Sequence, residues 1–227
     1  MNKLIGKFDH LVNNLERIHS ENSILKYNQG NKAFPSLVKG DLNKWLEELL
    51  PNTRLIIEPR IIGLCVGIQY IDGKINKVID KNYKDITEEI KSIKSIPILL
   101  PIKKSIEIYG VIFDIKYSAK KQKSNFIKTR KVSMTKKNLS FCAFHIFHCN
   151  LNQFQSLKEL KKLNFEIPDT YFTKYTSDIK IYYQCWIENK LFQNYPNNGL
   201  VLKINSRKLQ KLCGQNKHYL NWAYEIH

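Results

Sequence analysis

Residues 54 to 79 constrain the fold more than any other stretch: Arg-Leu-Ile-Ile-Glu-Pro-Arg-Ile-Ile-Gly-Leu-Cys-Val-Gly-Ile-Gln-Tyr-Ile-Asp-Gly-Lys-Ile-Asn-Lys-Val-Ile. Ile, Val and Leu dominate both 54 to 70 and 74 to 79, which predicts extended strands, and Asp72-Gly73 between them is a strong hairpin signal. A chain with this stretch must bury a sheet. Glu58 stands inside the Ile-rich run, where an unpaired carboxylate would be costly to bury, so a partner is expected for it.

Helical spacing surrounds this β-rich centre. Apolar residues at 4, 5, 8, 11, 12, 15 and 18 predict an amphipathic helix within residues 3 to 27. A second helix is predicted from Asp41 to Leu50, with Leu42, Trp45, Leu46, Leu49 and Leu50 on its apolar face and Pro51 as its stop. Asp85 to Lys94 reads as a short helix, Ser105 to Ile115 as a strand, Leu139 to Phe147 as a strand and Ser156 to Leu163 as a helix. A turn is expected at Asn197-Asn198-Gly199, followed by an apolar strand from Leu200 to Ile204. The mixture is α+β. Residues 1 to 34 are expected to form a helical segment and 35 to 227 one continuous domain, and no internal repeat or linker is evident in the sequence.

Thirty-seven Lys and Arg against twenty Asp and Glu give a formal charge of +17, which points to a polyanionic partner, most simply nucleic acid. A bland source competes with that reading, because an AT-rich genome also inflates Lys, Asn and Ile. Residues 116 to 137 concentrate nine basic side chains and no acidic one: Lys116, Lys120, Lys121, Lys123, Lys128, Arg130, Lys131, Lys136 and Lys137. Such a segment repels itself unless phosphates neutralise it, or it is a solvated loop. Five cysteines without a Cys-x-x-Cys pair suggest a reducing compartment and neither a disulfide framework nor a zinc ribbon. The N-terminus lacks an apolar signal core and the run from Ser95 to Ile102 is too short to span a bilayer. A soluble protein is expected, with no membrane partner, in the cytoplasm or in an organelle stroma or matrix if organelle-encoded.

The stretch from Glu58 to Gly73 resembles the Glu-Pro-Lys-Leu-Asp-Gly-Leu-Ala-Val-Ser-Leu-Arg-Tyr-Glu-Asn-Gly segment of bacterial NAD-dependent DNA ligases, whose lysine takes up AMP covalently. The likeness continues in order. Ser95-Ile96-Pro97-Ile98-Leu99-Leu100 is similar to the family's Ser-Ile-Pro-Leu-x-Leu, and Ile106 to Phe113 to Leu-Glu-Val-Arg-Gly-Glu-Val-Phe. Phe141-Cys142-Ala143-Phe144 resembles Phe-Phe-Ala-Tyr, Asn198 to Asn205 resembles Asp-Gly-Val-Val-Ile-Lys-Val-Asn, and Trp222-Ala223 matches Trp-Ala. The resemblance covers roughly 35 to 227 and implies the nucleotidyltransferase (ATP-grasp-like ligase adenylation) fold, with antiparallel sheets around an AMP pocket.

The departures fall on polar positions. Arg60 stands at the nucleophile and Ile62 at its aspartate, Tyr109 and Val111 at the motif arginine and glutamate, Asn198 at a later aspartate and His227 at the final lysine. Arginine can hold a phosphate but cannot attack one, because its guanidinium stays protonated with a pKa above ~12. By resemblance, the surviving nucleotide-binding set is Glu58 at the adenine, Phe144 as a stacking face, Lys203 at the phosphate, and Arg130 in the basic segment, with Arg60 available to a phosphate. NAD or AMP is the implied cofactor class. Lys120, Lys121, Lys123, Lys128, Lys131, Lys136 and Lys137 are the candidate nucleic-acid contacts. No oligonucleotide-binding barrel, zinc, helix-hairpin-helix or BRCT module is expected in the chain.

Cys142, His145, His148 and Cys149 invite a metal assignment, but strand alternation is expected to send Cys142 and His148 to one face and His145 and Cys149 to the other. No metal site is therefore expected. Trp45, Trp186 and Trp222 are expected in the core. The function implied is a ligase-like adenylation-domain protein without ligase activity, retained to bind nucleic acid or to complete a complex. Two alternatives stand beside it: an active nucleotidyltransferase with a relocated nucleophile, and a structural subunit whose basic surface meets an acidic protein.

Overall fold

A computed structural model describes residues 36–118, 138–147, 149–215 and 219–227. The helix expected within 3 to 27 lies outside them. Among the described residues nine strands form two sheets, and the residues that divide them are Ile62 and Gly63. The single strand expected over 54 to 70 is two: β2 (Leu55–Ile61) and β3 (Leu64–Ile71) belong to different sheets. The Ile62 amide donates to the Pro196 carbonyl at 2.6 Å, in step with the Ile61–Asn197 pair that ends the β2–β8 ladder, so the chain stays with the larger sheet until Gly63. A Cβ on Gly63 would stand 2.2 Å from the Ile112 carbonyl oxygen, so the chain passes there only as glycine.

The smaller sheet, in order β4-β3-β5-β6, is wholly antiparallel and joins β3 to β4 (Lys74–Asp80), β5 (Ile106–Asp114) and β6 (Leu139–Ile146). Its first connection is the Asp72-Gly73 hairpin, with both residues at positive φ, as the sequence predicts. The larger sheet runs β1-β9-β8-β2-β7, from β1 (Ser36–Val38), β7 (Tyr171–Thr173), β8 (Asn197–Ile204) and β9 (Tyr219–Ile226). Its pairs are antiparallel except β1 with β9. The expected turn at 197 to 199 is corrected: those residues already belong to β8, because a Cβ on Gly199 would sit 2.0 Å from the Ile226 carbonyl and only glycine lets β9 lie so close.

Among the described residues four α-helices cover the sheets. α1 (Leu42–Glu47) is capped by Asp41, whose carboxylate accepts from the Asn43 and Lys44 amides at 2.9 and 3.2 Å. It stops before the predicted Leu50, since residues ahead of Pro51 are pushed out of helical geometry. α2 (Gln153–Lys162) starts earlier than expected, because the Gln155 side chain accepts from the Asn152 amide at 3.1 Å and opens the helix there. α3 (Thr176–Ile187) and α4 (Arg207–Cys213) complete the set. The helix expected at 85 to 94 is only a 3-10 turn, Glu89–Ser92, since Thr87 is spent on the Val78 amide and on Asp85.

Alternation along β2 decides where the site lies. Leu55 and Ile57 enter a core with Trp45, Trp186, Leu200 and Leu202. A second core lies behind the smaller sheet, around Ile68, Tyr70, Ile112, Phe141 and Leu160. All three tryptophans are buried, at 6, 6 and 7% exposure, as expected. Ile56, Glu58 and Arg60 take the other face of β2, toward the cleft between the sheets. No helix of the described residues is long and apolar enough to cross a membrane.

Candidate functional site

The inner end of the cleft holds a buried ion pair. Lys203 Nζ donates to Glu58 Oε2 at 2.6 Å, with the two residues 5 and 2% exposed. β8 brings them together: its register sets Val201 opposite Glu58 and Lys203 opposite Ile56, so the lysine reaches one step along the same face. The ammonium also lies 4.8 Å from the centroid of the Phe144 ring. Gln153 fastens the group, its amide donating to the Phe144 carbonyl at 2.8 Å and to Glu58 Oε1 at 3.5 Å. The partner expected for Glu58 is thus present.

His145 backs this pair, with Nδ1 3.4 Å from Gln153 Oε1 and its ring 5.5 Å from that of Trp222. Burial, reinforced by the Arg207 and Lys203 charges, pushes its pKa down to about 3, so it is neutral. The expected alternation fails here. β6 slips register between Ala143 and His145, and the resulting bulge at Phe144 leaves both Cys142, opposite Val111, and His145, opposite Tyr109, on the cleft side. Among the described residues no three His, Cys, Asp or Glu side chains converge on a point that could hold a metal.

The middle of the cleft is apolar. Val111, Phe113 and Cys142 pack with Ile61, Phe144 and Tyr195. Val111, at the position of the family's glutamate, is 3% exposed. Burial, and next the nearby Glu58 charge, raise the Cys142 thiol well above its ordinary range, so it stays protonated and is no substitute nucleophile. This lining does not fit a magnesium ion, which needs hard oxygen ligands.

At the outer end, the substituted positions bond to one another. Arg60 Nε donates to Glu225 Oε2 at 2.7 Å and Nη1 to Asn198 Oδ1 at 2.6 Å. His227 Nε2 lies 3.4 Å from Glu225 Oε1, and its Nδ1 3.3 Å from the Asn198 carbonyl. Arg60, Asn198 and His227 therefore form one cluster closed by Glu225. The Arg60 side chain is 29% exposed and that of Glu225 10%.

Of the residues singled out by sequence, Glu58, Arg60, Phe144 and Lys203 share this cleft. Arg130 and Lys120, Lys121, Lys123, Lys128, Lys131, Lys136 and Lys137 lie outside the described residues. Sequence reasoning missed Gln153, His145 as a second-layer group, and Glu225. Glu225 carried the same signal as Glu58, a lone acid in an apolar run. Gln153, opening a polar helix, carried none.

Two sheets, antiparallel but for the β1–β9 pair, enclosing such a cleft define the class of protein. No family model matches the chain. Among solved structures it is similar to an archaeal ATP-dependent RNA ligase, with a TM-score of 0.52 and 11% identity, over 76% of this chain and 45% of that one. The fold is the nucleotidyltransferase fold of polynucleotide ligases.

Curated relatives narrow the likeness to DNA ligases. The chain is 26% identical over 236 residues to the DNA ligase of Mesoplasma florum, covering 87% of this chain and 35% of the relative. To the DNA ligase of Mycoplasmopsis agalactiae it is 28% identical over 233 residues, covering 86 and 35%. The sequence is DNA ligase-like, and it spans about a third of these relatives' length.

Proposed function

We propose that this chain is a ligase-like adenylation-domain protein of the NAD-dependent kind that forms no AMP intermediate and serves as a nucleic-acid-binding or complex-forming subunit. The observation that carries the reading is the anchoring of Arg60. At the nucleophile position stands a guanidinium that has no free lone pair and is held by Glu225 and Asn198. Around it the chemistry is equally spent: Val111 replaces a carboxylate with a buried methyl surface, and the Lys203 ammonium is bonded to Glu58. A charge of +17 suits a polyanionic partner.

A nucleotide entering the cleft would meet Phe144 as its stacking face, Glu58 and Lys203 at the inner end and Arg60 at the rim. It would have to displace Lys203 from the Phe144 ring first.

The test is the intact mass of the folded protein after incubation with NAD or, separately, ATP, each with magnesium. No gain of AMP is expected. Arg60→Lys alone is also expected to gain none, because Ile62 and Val111 remain apolar. An adduct on the parent chain would overturn the reading and mark it as a working nucleotidyltransferase.

A further inference from the structure

Two surface concavities of about 330 and 440 Å³ share Arg54 in their lining, and neither is lined by Glu58 or Lys203. Phe172 faces the same side, since β7 pairs it with Ile56, whose other partner is Lys203. β7 is the outer strand of its sheet among the described residues, so nothing in that sheet covers it. Phe172 is 41% exposed and Tyr175, at the start of α3, 56%. Phe154 of α2 meets Phe172 edge to face at 4.5 Å.

Cations interleave with these rings. Lys158 Nζ lies 4.6 Å from the Phe154 centroid and Lys174 Nζ 4.9 Å from that of Tyr175. Ion pairs elsewhere tie down Arg60, Lys84, Lys91, Lys162, Lys190 and Lys203, but among the described residues none forms at Arg54, Lys158 or Lys174. Asp178 is the acid that lines this surface, and it accepts a hydrogen bond from Thr173 Oγ1 at 2.7 Å.

From this arrangement we infer that the face around Arg54, Phe172 and Tyr175 binds an unpaired strand of nucleic acid, bases stacking on the aromatic rings and phosphates meeting Arg54, Lys158 and Lys174. Exposed aromatic faces serve unpaired bases, because in a duplex the base faces are already stacked on one another. Alternating rings and uncompensated cations are what sequence-tolerant strand binding requires. Each concavity is within the size range that holds a small ligand, here a base or a sugar-phosphate. The inference rests on the nucleic-acid reading above and gives it a location and a strandedness.

The test is fluorescence anisotropy with labelled oligo(dT) and oligo(U) at low salt, against a duplex of equal length, for the full chain and for Tyr175→Ala, Phe172→Ala and Arg54→Ala. The single strand is expected to bind more tightly than the duplex. Tyr175→Ala and Phe172→Ala should each weaken it by about tenfold or more, and Arg54→Ala should shallow the salt dependence by about one contact. Tyr175 and Arg54 are exposed, so those variants keep their thermal stability even if Phe172→Ala does not. Oligo(dT) and oligo(U) separate DNA from RNA as the strand. Strand binding that the Tyr175 and Arg54 variants leave unchanged would overturn this surface while the wider reading stood, as would equal affinity for duplex. No binding of any nucleic acid at low salt would remove both.

Discussion

At the residue scale, the site is a set of polar groups whose partners are inside the protein. Glu58 and Lys203 satisfy each other, Gln153 satisfies the Phe144 carbonyl, and His145 is neutral against Trp222. The neutral histidine has a measurable cost. Unfolded, it takes a proton below about pH 6.5; folded, it resists until about 3. Between those values the unfolded state binds the extra proton, so stability falls as pH drops through that window, by at most about 1.4 kcal/mol per pH unit from this group. Urea unfolding at pH 7, 6 and 5 is expected to show a steeper loss for the parent chain than for His145→Gln, and parallel curves would refute the assignment. Glu58 was legible in sequence because a carboxylate among isoleucines demands a partner. That the partner is Lys203 was not legible, since 145 residues separate the two and the resemblance gave them separate roles, at adenine and at phosphate.

At the element scale, the decisive feature is the two-residue break between β2 and β3. In Gly63→Ala the new methyl would stand 2.2 Å from the Ile112 oxygen and 2.6 Å from a Val111 methyl, neither of which can move without disturbing β5. A loss of about 3 kcal/mol is expected by chemical denaturation, and a change under 1 kcal/mol would show that the crossing is looser than described. The strands of the smaller sheet were legible because period-two runs and a two-residue turn are local signals. β7, α3 and β9 were not. β7 has three residues, and in α3 the core-facing Ile179, Tyr182, Tyr183 and Trp186 do follow helical spacing, but the exposed Ile181 and Ile187 off that face blur the stripe. The bulge at Phe144 was equally invisible, because it arises from pairing with β5 and leaves no mark on β6 alone.

At the scale of the whole molecule, charge sets the behaviour. If the +17 excess works on phosphates, association must weaken steeply with salt. With the three phosphate contacts at Arg54, Lys158 and Lys174, strand affinity is expected to fall roughly twentyfold between 50 and 200 mM salt. A salt-independent complex would point to a protein partner. The two sheets also differ in how they draw on the chain. The smaller one comes from one continuous run, residues 64 to 146, whereas the larger gathers strands from 36 to 226. β9, the last described strand to be synthesised, lies inside that larger sheet, between β1 and β8. During translation the smaller sheet can therefore close while β1 and β2 wait, and the arm that carries Glu225 to Arg60 arrives only when β9 does. Until then the nascent chain carries exposed strand edges, and the Arg60 cluster is among the last parts of the molecule to come into being.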